Sequence, residues 1–495
     1  MDRSLFEQLD KYLFNPSSVA VVGASDMPGK WGFNIINRLL ETKDERKIYA
    51  INDKRPEVHG LKTYKTVRDV PDAVDFVVIA IPFTEVPKVM EDCVAKGVKA
   101  GLIVSAGLGE TGEEGAKLEQ EMVAIARRGG MRFAGPNCMG HFNTEVNFYT
   151  TAFFEPVKRG NLGIVAQSGG FAGHIMHCGM EMGVGFSKVI SSGNEADLHL
   201  EDYIEYLAQD PETKVIGAYV EGFREGRRFL EIAKEATRKK PIIVMKVGRT
   251  TAGAKAARSH TGALSGSDII SDVALKQAGV IRVDEIEELF DIAAALLRQP
   301  LPKGRRIGIL TGGGGHGVVA TDACARLGLE IADLSKSTIE KLDQVLPPRW
   351  PHANPVDTVA VPFVTYPCLW PIMEDENVDA VLAVGSIGTS PWWRRAGYLP
   401  IAMPSHLRDE AMRWMDLIEA EEIENLDIAI ERMEQHQKPI IITGMMMTPE
   451  LKEAAVFKKL EEIGLLVYPT PERAAKALAH LCWYSEYLRQ TGSWE

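Results

Sequence analysis

His260 stands in the stretch AARSHTGALSGSD, residues 256–268, between Ser259 and Thr261, with Gly248, Gly253, Gly262 and Gly266 around it. An apolar run at 242–247 reads as a buried strand before it, and an apolar helix pattern begins at Ile269 after it. A core histidine is normally held by rigid apolar neighbours, and this one has small, flexible ones. Taken alone, it is most simply a solvated side chain. His174 and His177 have the i, i+3 spacing of metal ligands on a helix. No further ligand cluster lies near them in the sequence, so a surface role is the simpler reading and no metal is expected.

Three glycine-rich turns join an apolar strand to a helix: residues 23–32, 167–173 and 311–317. Helix N-termini offer unpaired N–H groups, and glycine lets an anion approach the backbone closely. The first turn, GASDMPGKWG, is neither G-x-G-x-x-G nor a P-loop. The second strand ends in INDKRPEVHG, where Asp53 is followed by Lys54 and Arg55. That pair suits phosphate better than a ribose hydroxyl, so a nicotinamide-dependent oxidoreductase is disfavoured. A phosphate-bearing nucleotide held by the backbone, Lys30 and Lys54 fits better. The turns QSGGFAG and TGGGGHG open helices in different modules, and from spacing alone they read equally as a shared dianion site or as two packing turns.

These turns need rigid elements behind them. The chain repeats a rhythm of short apolar run, glycine turn and amphipathic helix, which implies α/β modules built on parallel, doubly wound sheets. The rhythm restarts after residue 155 and again after RQPLPKGRR, a linker by its prolines and basic residues. Three domains are expected: a Rossmann-like one at 1–155, and two flavodoxin-like ones at 156–299 and 300–495. The 495 residues suit that count, and the net charge of −12 argues against a nucleic-acid surface. No signal peptide or membrane-spanning apolar stretch is evident, and six scattered cysteines fit reduced thiols in a cytoplasmic protein.

The ordered motifs VAVVGAS, GPNCMG, GIVAQSGGFAG, SSGNEAD, YVEGF, GRTTAGAKAARSHTGALSGSD and NPVD resemble the nucleoside-diphosphate-forming acyl-CoA synthetases, relatives of succinyl-CoA synthetase. The resemblance runs from about Phe14 to Pro471, and the His260 segment is its most specific part. It implies an α-type subunit that interconverts a carboxylic acid, CoA and ATP with acyl-CoA, ADP and phosphate. It places His260 as the phosphorylated histidine and Glu221 as the glutamate that orients it. A neutral imidazole nitrogen is a nucleophile near pH 7, and a carboxylate fixes its tautomer. The resemblance also implies phosphate binding by Gln167, Ser168, Gly169 and Gly170 and by Gly312, Gly313, Gly314 and Gly315. For CoA it points to Gly23, Ala24, Ser25, Lys30, Lys54, Pro82, Ser105, Ala106, Asn137 and Cys138, the last with no catalytic role.

Two departures stand out. No ATP-grasp domain fits in the chain, so ATP/ADP and Mg²⁺ are expected on a separate β subunit, in an α2β2 heterotetramer. The third domain carries an insertion near 388–425 with Trp392, Trp393, Arg394 and Arg395, read as a surface insertion with an amphipathic helix. His316 also stands where a smaller residue is expected. A small acid such as acetate is the family's common substrate. The alternative from another class is a non-catalytic CoA-binding protein of the same fold.

Overall fold

The computed structural model describes every residue except 1–2, 43–45, 152–156, 254, 256–267, 360–362, 390, 392–403, 445–452 and 495. The chain divides into two compact units, Met1–Leu289 and Phe290–Glu495.

The first unit holds two sheets. β1 (Ser18–Val22), β2 (Lys47–Ile51), β3 (Glu57–Val58), β4 (Leu61–Tyr64), β5 (Phe76–Ile79), β6 (Ala100–Ile103) and β7 (Arg132–Ala134) form one, in the order β3-β4-β2-β1-β5-β6-β7. All pairs in it are parallel except β3 with β4. β1, β5 and β6 are buried along their whole length, as continuous apolar runs covered on both faces must be. Each Val or Ile buried there is worth about 1.5–3 kcal/mol.

The second sheet contains β8 (His141–Asn143), β9 (Phe148–Tyr149), β10 (Arg159–Ala166), β11 (Phe186–Ser191), β12 (Val215–Val220), β13 (Ile242–Lys246) and β14 (Ile281–Val283). Its order is β14-β13-β12-β10-β11-β8-β9. β8 and β9 therefore belong to the second sheet, paired antiparallel at its edge, although they precede residue 155. One hydrophobic cluster runs from Val19 and Val21 of the first sheet to Val165, Ala218 and Val244 of the second.

The second unit carries β15 (Arg306–Thr311), β16 (Glu330–Ile331), β17 (Val356–Asp357), β18 (Ala380–Val384), β19 (Ile440–Thr443) and β20 (Val467–Tyr468). They form a parallel sheet in the order β16-β15-β18-β19-β20, with β17 against β15. The unit takes in the end of the helix Ile286–Arg298, where Asp291 receives an ion pair from Arg473 at 2.7 Å and its carbonyl accepts from the Tyr468 hydroxyl. A 32-residue helix, Ser405–His436, begins inside the expected insertion at 388–425 and runs past its end, with Leu407, Trp414 and Leu417 exposed. Trp392, Trp393, Arg394 and Arg395 lie outside the described residues. No helix among the described residues is long and apolar enough to cross a membrane.

Candidate active site

The residues expected to hold CoA gather at the carboxyl ends of β1, β2, β5, β6 and β7, where the strand order reverses around β1 and β5. The turn after β1 is tightly built. A Cβ on Gly32 would stand 1.9 Å from the Gly23 carbonyl oxygen, and Gly23 itself has φ +89° with its own Cβ position 2.4 Å from the Ala80 oxygen. The helix Trp31–Glu41 can therefore start against the turn only because both positions lack a side chain. Ala24 and Ser25 are buried beneath it, and Ser25 Oγ accepts from the Met27 amide at 3.1 Å.

Lys30 caps that helix and is exposed, as is Lys54, whose amide donates to Asn52 Oδ1 at 2.8 Å. Neither makes an ion pair among the described residues, whereas Arg55 is taken by Asp26 at 2.9 Å. Two free cations beside an open helix N-terminus fit a diphosphate. Pro82 and Ala106 are exposed; Ser105 Oγ donates to the Ile81 carbonyl at 2.6 Å. Asn137, at φ +55°, donates its amide N–H to the Ser105 carbonyl and its Nδ2 to Asn194 Oδ1. Cys138 is buried and its thiol is pushed up to about 12 by desolvation, so it is no nucleophile.

Glu221 follows β12 and is buried. Its backbone N–H and that of Gly222 both donate to Gln167 Oε1, at 2.6 and 3.0 Å. Lys246, on the neighbouring β13, donates Nζ to the Glu221 carbonyl at 2.8 Å. The Tyr219 hydroxyl hydrogen-bonds the Glu221 side chain, and burial followed by that charge pushes the phenol up to about 12. Phe171, in the first turn of the helix Gly169–Glu181, stacks on Tyr219 with centroids 4.2 Å apart. The structure thus ties the start of that helix to Glu221. Ser168 is its N-cap, its Oγ accepting from the Phe171 amide at 3.3 Å, and open space lies above Gly170. Gly169, by contrast, is packed against Met139. The Gln167 side chain is committed to the Glu221 and Gly222 main chain and to the Glu195 carboxyl.

His260 lies outside the described residues. The ends of its segment are held together by Arg249 and Asp268, paired at 3.5 Å, and Asp268 also pairs with Arg282. In the second unit, Gly312 donates to the Val384 carbonyl at 3.0 Å and Gly313 to Thr311 Oγ1 at 3.2 Å, where the helix Gly314–Arg326 begins. Gly315 faces open space, and a Cβ on Gly314 would stand 3.2 Å from Asp357 Oδ2. That carboxylate is the feature of this turn least suited to an anion. His316 donates its amide to the Gly313 carbonyl. His174 and His177 are exposed, and no group of three or more possible metal ligands occurs among the described residues.

Sequence reasoning missed Tyr219, Phe171, Lys246, Asn194 and Glu195. Tyr219 was within reach, because two residues before Glu221 on a strand is the same face.

A glycine turn at the switch point of one sheet and a buried carboxylate at a strand end of the next fit a CoA-dependent enzyme of the succinyl-CoA ligase type. Residues 17–144 match the model of a CoA binding domain, and 159–296 that of the succinyl-CoA ligase like flavodoxin domain. The chain is 39% identical over 468 residues to the α subunit of acetate–CoA ligase (ADP-forming) II of Pyrococcus furiosus, covering 94% of this chain and 96% of that one. It is 43% identical over 349 residues to the acetate–CoA ligase (ADP-forming) of Methanocaldococcus jannaschii, covering 70% of this chain and 49% of that one. It spans nearly all of the separate α subunit and about half of this longer relative. The dinucleotide-forming acetyl-coenzyme A synthetase 1 of Ca. Korarchaeum cryptofilum, solved with phosphate and ADP, superposes with a TM-score of 0.83 at 34% identity over 98% of each chain. The chain belongs to the family of ADP-forming acetate–CoA ligases, as an α-type subunit.

Proposed function

We propose that the chain is the CoA-binding, phosphoryl-carrying subunit of an acid–thiol ligase that interconverts a small carboxylic acid, CoA and ATP with acyl-CoA, ADP and phosphate. The observation that carries this is the arrangement at Glu221: a buried carboxylate at a strand end, fixed by Tyr219 and Gln167 beside an open helix start. In the ATP-forming direction a phosphate oxygen attacks the thioester carbonyl. The C–O bond forms, the C–S bond breaks, and CoA leaves as its thiol. An imidazole nitrogen of His260 then attacks phosphorus, and the carboxylate leaves as the P–O bond breaks. Glu221 accepts from the other imidazole nitrogen, selecting the tautomer and stabilising the cation. ADP finally takes the phosphoryl group from His260 and frees the histidine.

The main-chain N–H groups and hydroxyl at Ser168–Gly170 supply a positive helix end for the transferring group, and the helix start at 312–315 is a second phosphate-binding turn in its own unit. The turn at 23–25 with Lys30 and Lys54 holds the CoA diphosphate, and the loop at 105–106 and Asn137 flank the pantetheine arm. ATP or ADP with Mg²⁺ belongs to a partner subunit bearing an ATP-grasp domain, in an α2β2 assembly in the cytoplasm. The α-subunit relative supports a divided enzyme, and the six free thiols suit a reducing compartment.

The reconstituted complex, given acetyl-CoA, phosphate and ADP, is expected to form ATP. His260→Ala lowers that turnover by about 10³ or more, and Glu221→Gln by about 10². A His260→Ala complex as fast as the wild type would refute the carrier role.

A further inference from the structure

We propose that Glu195 is a positioning residue for Glu221, acting through the carboxamide of Gln167. Gln167 Oε1 takes the N–H groups of both Glu221 and Gly222. It can do so only while its Nε2 points the other way. Two acceptors hold it there: the Gly222 carbonyl at 2.7 Å and Glu195 Oε2 at 3.1 Å. The other carboxyl oxygen, Oε1, is fixed by the Ser192 hydroxyl at 2.7 Å. Remove Glu195 and one of the two locks on the amide is gone.

Three further features set this carboxyl apart from ordinary packing. Glu195 is buried yet sits at φ +56°, a left-handed conformation that a Glu side chain rarely adopts. Its neighbours are hostile to charge: Glu201, fully buried on the helix Leu200–Gln209, has an Oε2 that meets no hydrogen-bond partner among the described residues. The segment is also bolted to the CoA-binding side. Asn194 Nδ2 donates to Glu110 and Glu119, at 2.5 and 2.8 Å, and those carboxylates accept from the amides of Gly107 and Gly109. The Asn194 and Ala196 amides donate to the Pro136 and Gly135 carbonyls. Consecutive residues thus grip the 105–110 loop and the support of Glu221.

Burial first, opposed by the hydrogen bonds from Ser192 and Gln167 and assisted by the Glu201 charge, pushes the Glu195 carboxyl up to about 8. Glutamine keeps the length of this side chain and a carbonyl oxygen that accepts from Gln167 Nε2.

The test rests on the ligase reading and uses the complex with the partner subunit. Glu195→Asn keeps a residue that tolerates the left-handed backbone but withdraws its side chain from Gln167. It is expected to lower kcat about tenfold, with the CoA dissociation constant, read by calorimetry on the chain, within about twofold of wild type. Glu195→Gln restores kcat, and Gln167→Met, which keeps the volume and loses the amide, repeats the fall. Wild-type kcat in Glu195→Asn, or a Glu195→Gln enzyme as slow as the Asn variant, overturns the proposal while leaving the ligase reading standing. A wild-type complex with no turnover overturns both.

Discussion

Cys138 and Glu221 sit at strand ends of the same unit, and their surroundings give them opposite uses. The Cys138 thiol, capped by the Ile103 carbonyl and packed against Gly135 and Gly193, is withheld from solvent and from ionisation. A thiol-alkylating reagent at pH 8 is therefore expected to leave Cys138 unmodified in the folded chain and to label it in urea, as mass spectrometry of the digest would show. Rapid labelling of the folded protein would contradict the buried geometry. Glu221 is buried at the end of its strand, its backbone N–H held by Gln167 Oε1. Its motif, YVEGF, singled it out in the sequence, as VSAG and GPNC singled out the loops after β6 and β7. Glu195 stands in SSGNEAD, but its role was not legible, because a buried carboxyl in a left-handed turn follows neither alternation nor helical spacing. Its role depends on Gln167, 28 residues away.

At the scale of elements, the turn after β1 is specified by absent atoms. Gly32→Ala would drive a methyl into the Gly23 carbonyl, with Gly23 C also only 2.7 Å away. The start of the helix must shift, at about 1–3 kcal/mol. Denaturant unfolding is expected to register that loss, and titration with CoA a weakening of about tenfold or more; unchanged CoA affinity would separate the turn from the site. Asp197 has a comparable duty between sheets. Fully buried, it takes Arg132 at 2.8 Å, Arg127 at 3.4 Å and the Phe133 amide at 3.1 Å. Asp197→Ala strands the Arg132 cation and is expected to cost about 3 kcal/mol by the same unfolding measurement. The parallel strands and their helices were legible because buried parallel strands are continuous apolar runs. The hairpin β8–β9 was not, since strands of three and two residues carry no readable period, so its membership of the second sheet came only from pairing.

Across the whole chain, the first unit carries a pH dependence from a group remote from the proposed chemistry. His141 is buried, its Nε2 2.8 Å from the Leu13 carbonyl, and desolvation lowers it to about 4. The unfolded chain takes up that proton near pH 6.5, whereas the folded unit does not until about pH 4. Stability is therefore complete above pH 6.5 and falls as the pH drops towards 4, by about 3 kcal/mol from this group. Unfolding of the first unit followed from pH 7 to 4 is expected to show this slope, and His141→Gln to lose it. A slope unchanged in that variant would assign the effect elsewhere. The carrier role rests on one segment, that of His260. Incubating the complex with ATP and Mg²⁺, digesting it without acid and mapping the phosphoryl group by mass spectrometry tests it most directly. An acid-labile phosphoryl group is expected on His260, within residues 256–268, and none in His260→Ala. A phosphoryl group on another residue of this chain, or one that persists in His260→Ala, would contradict it.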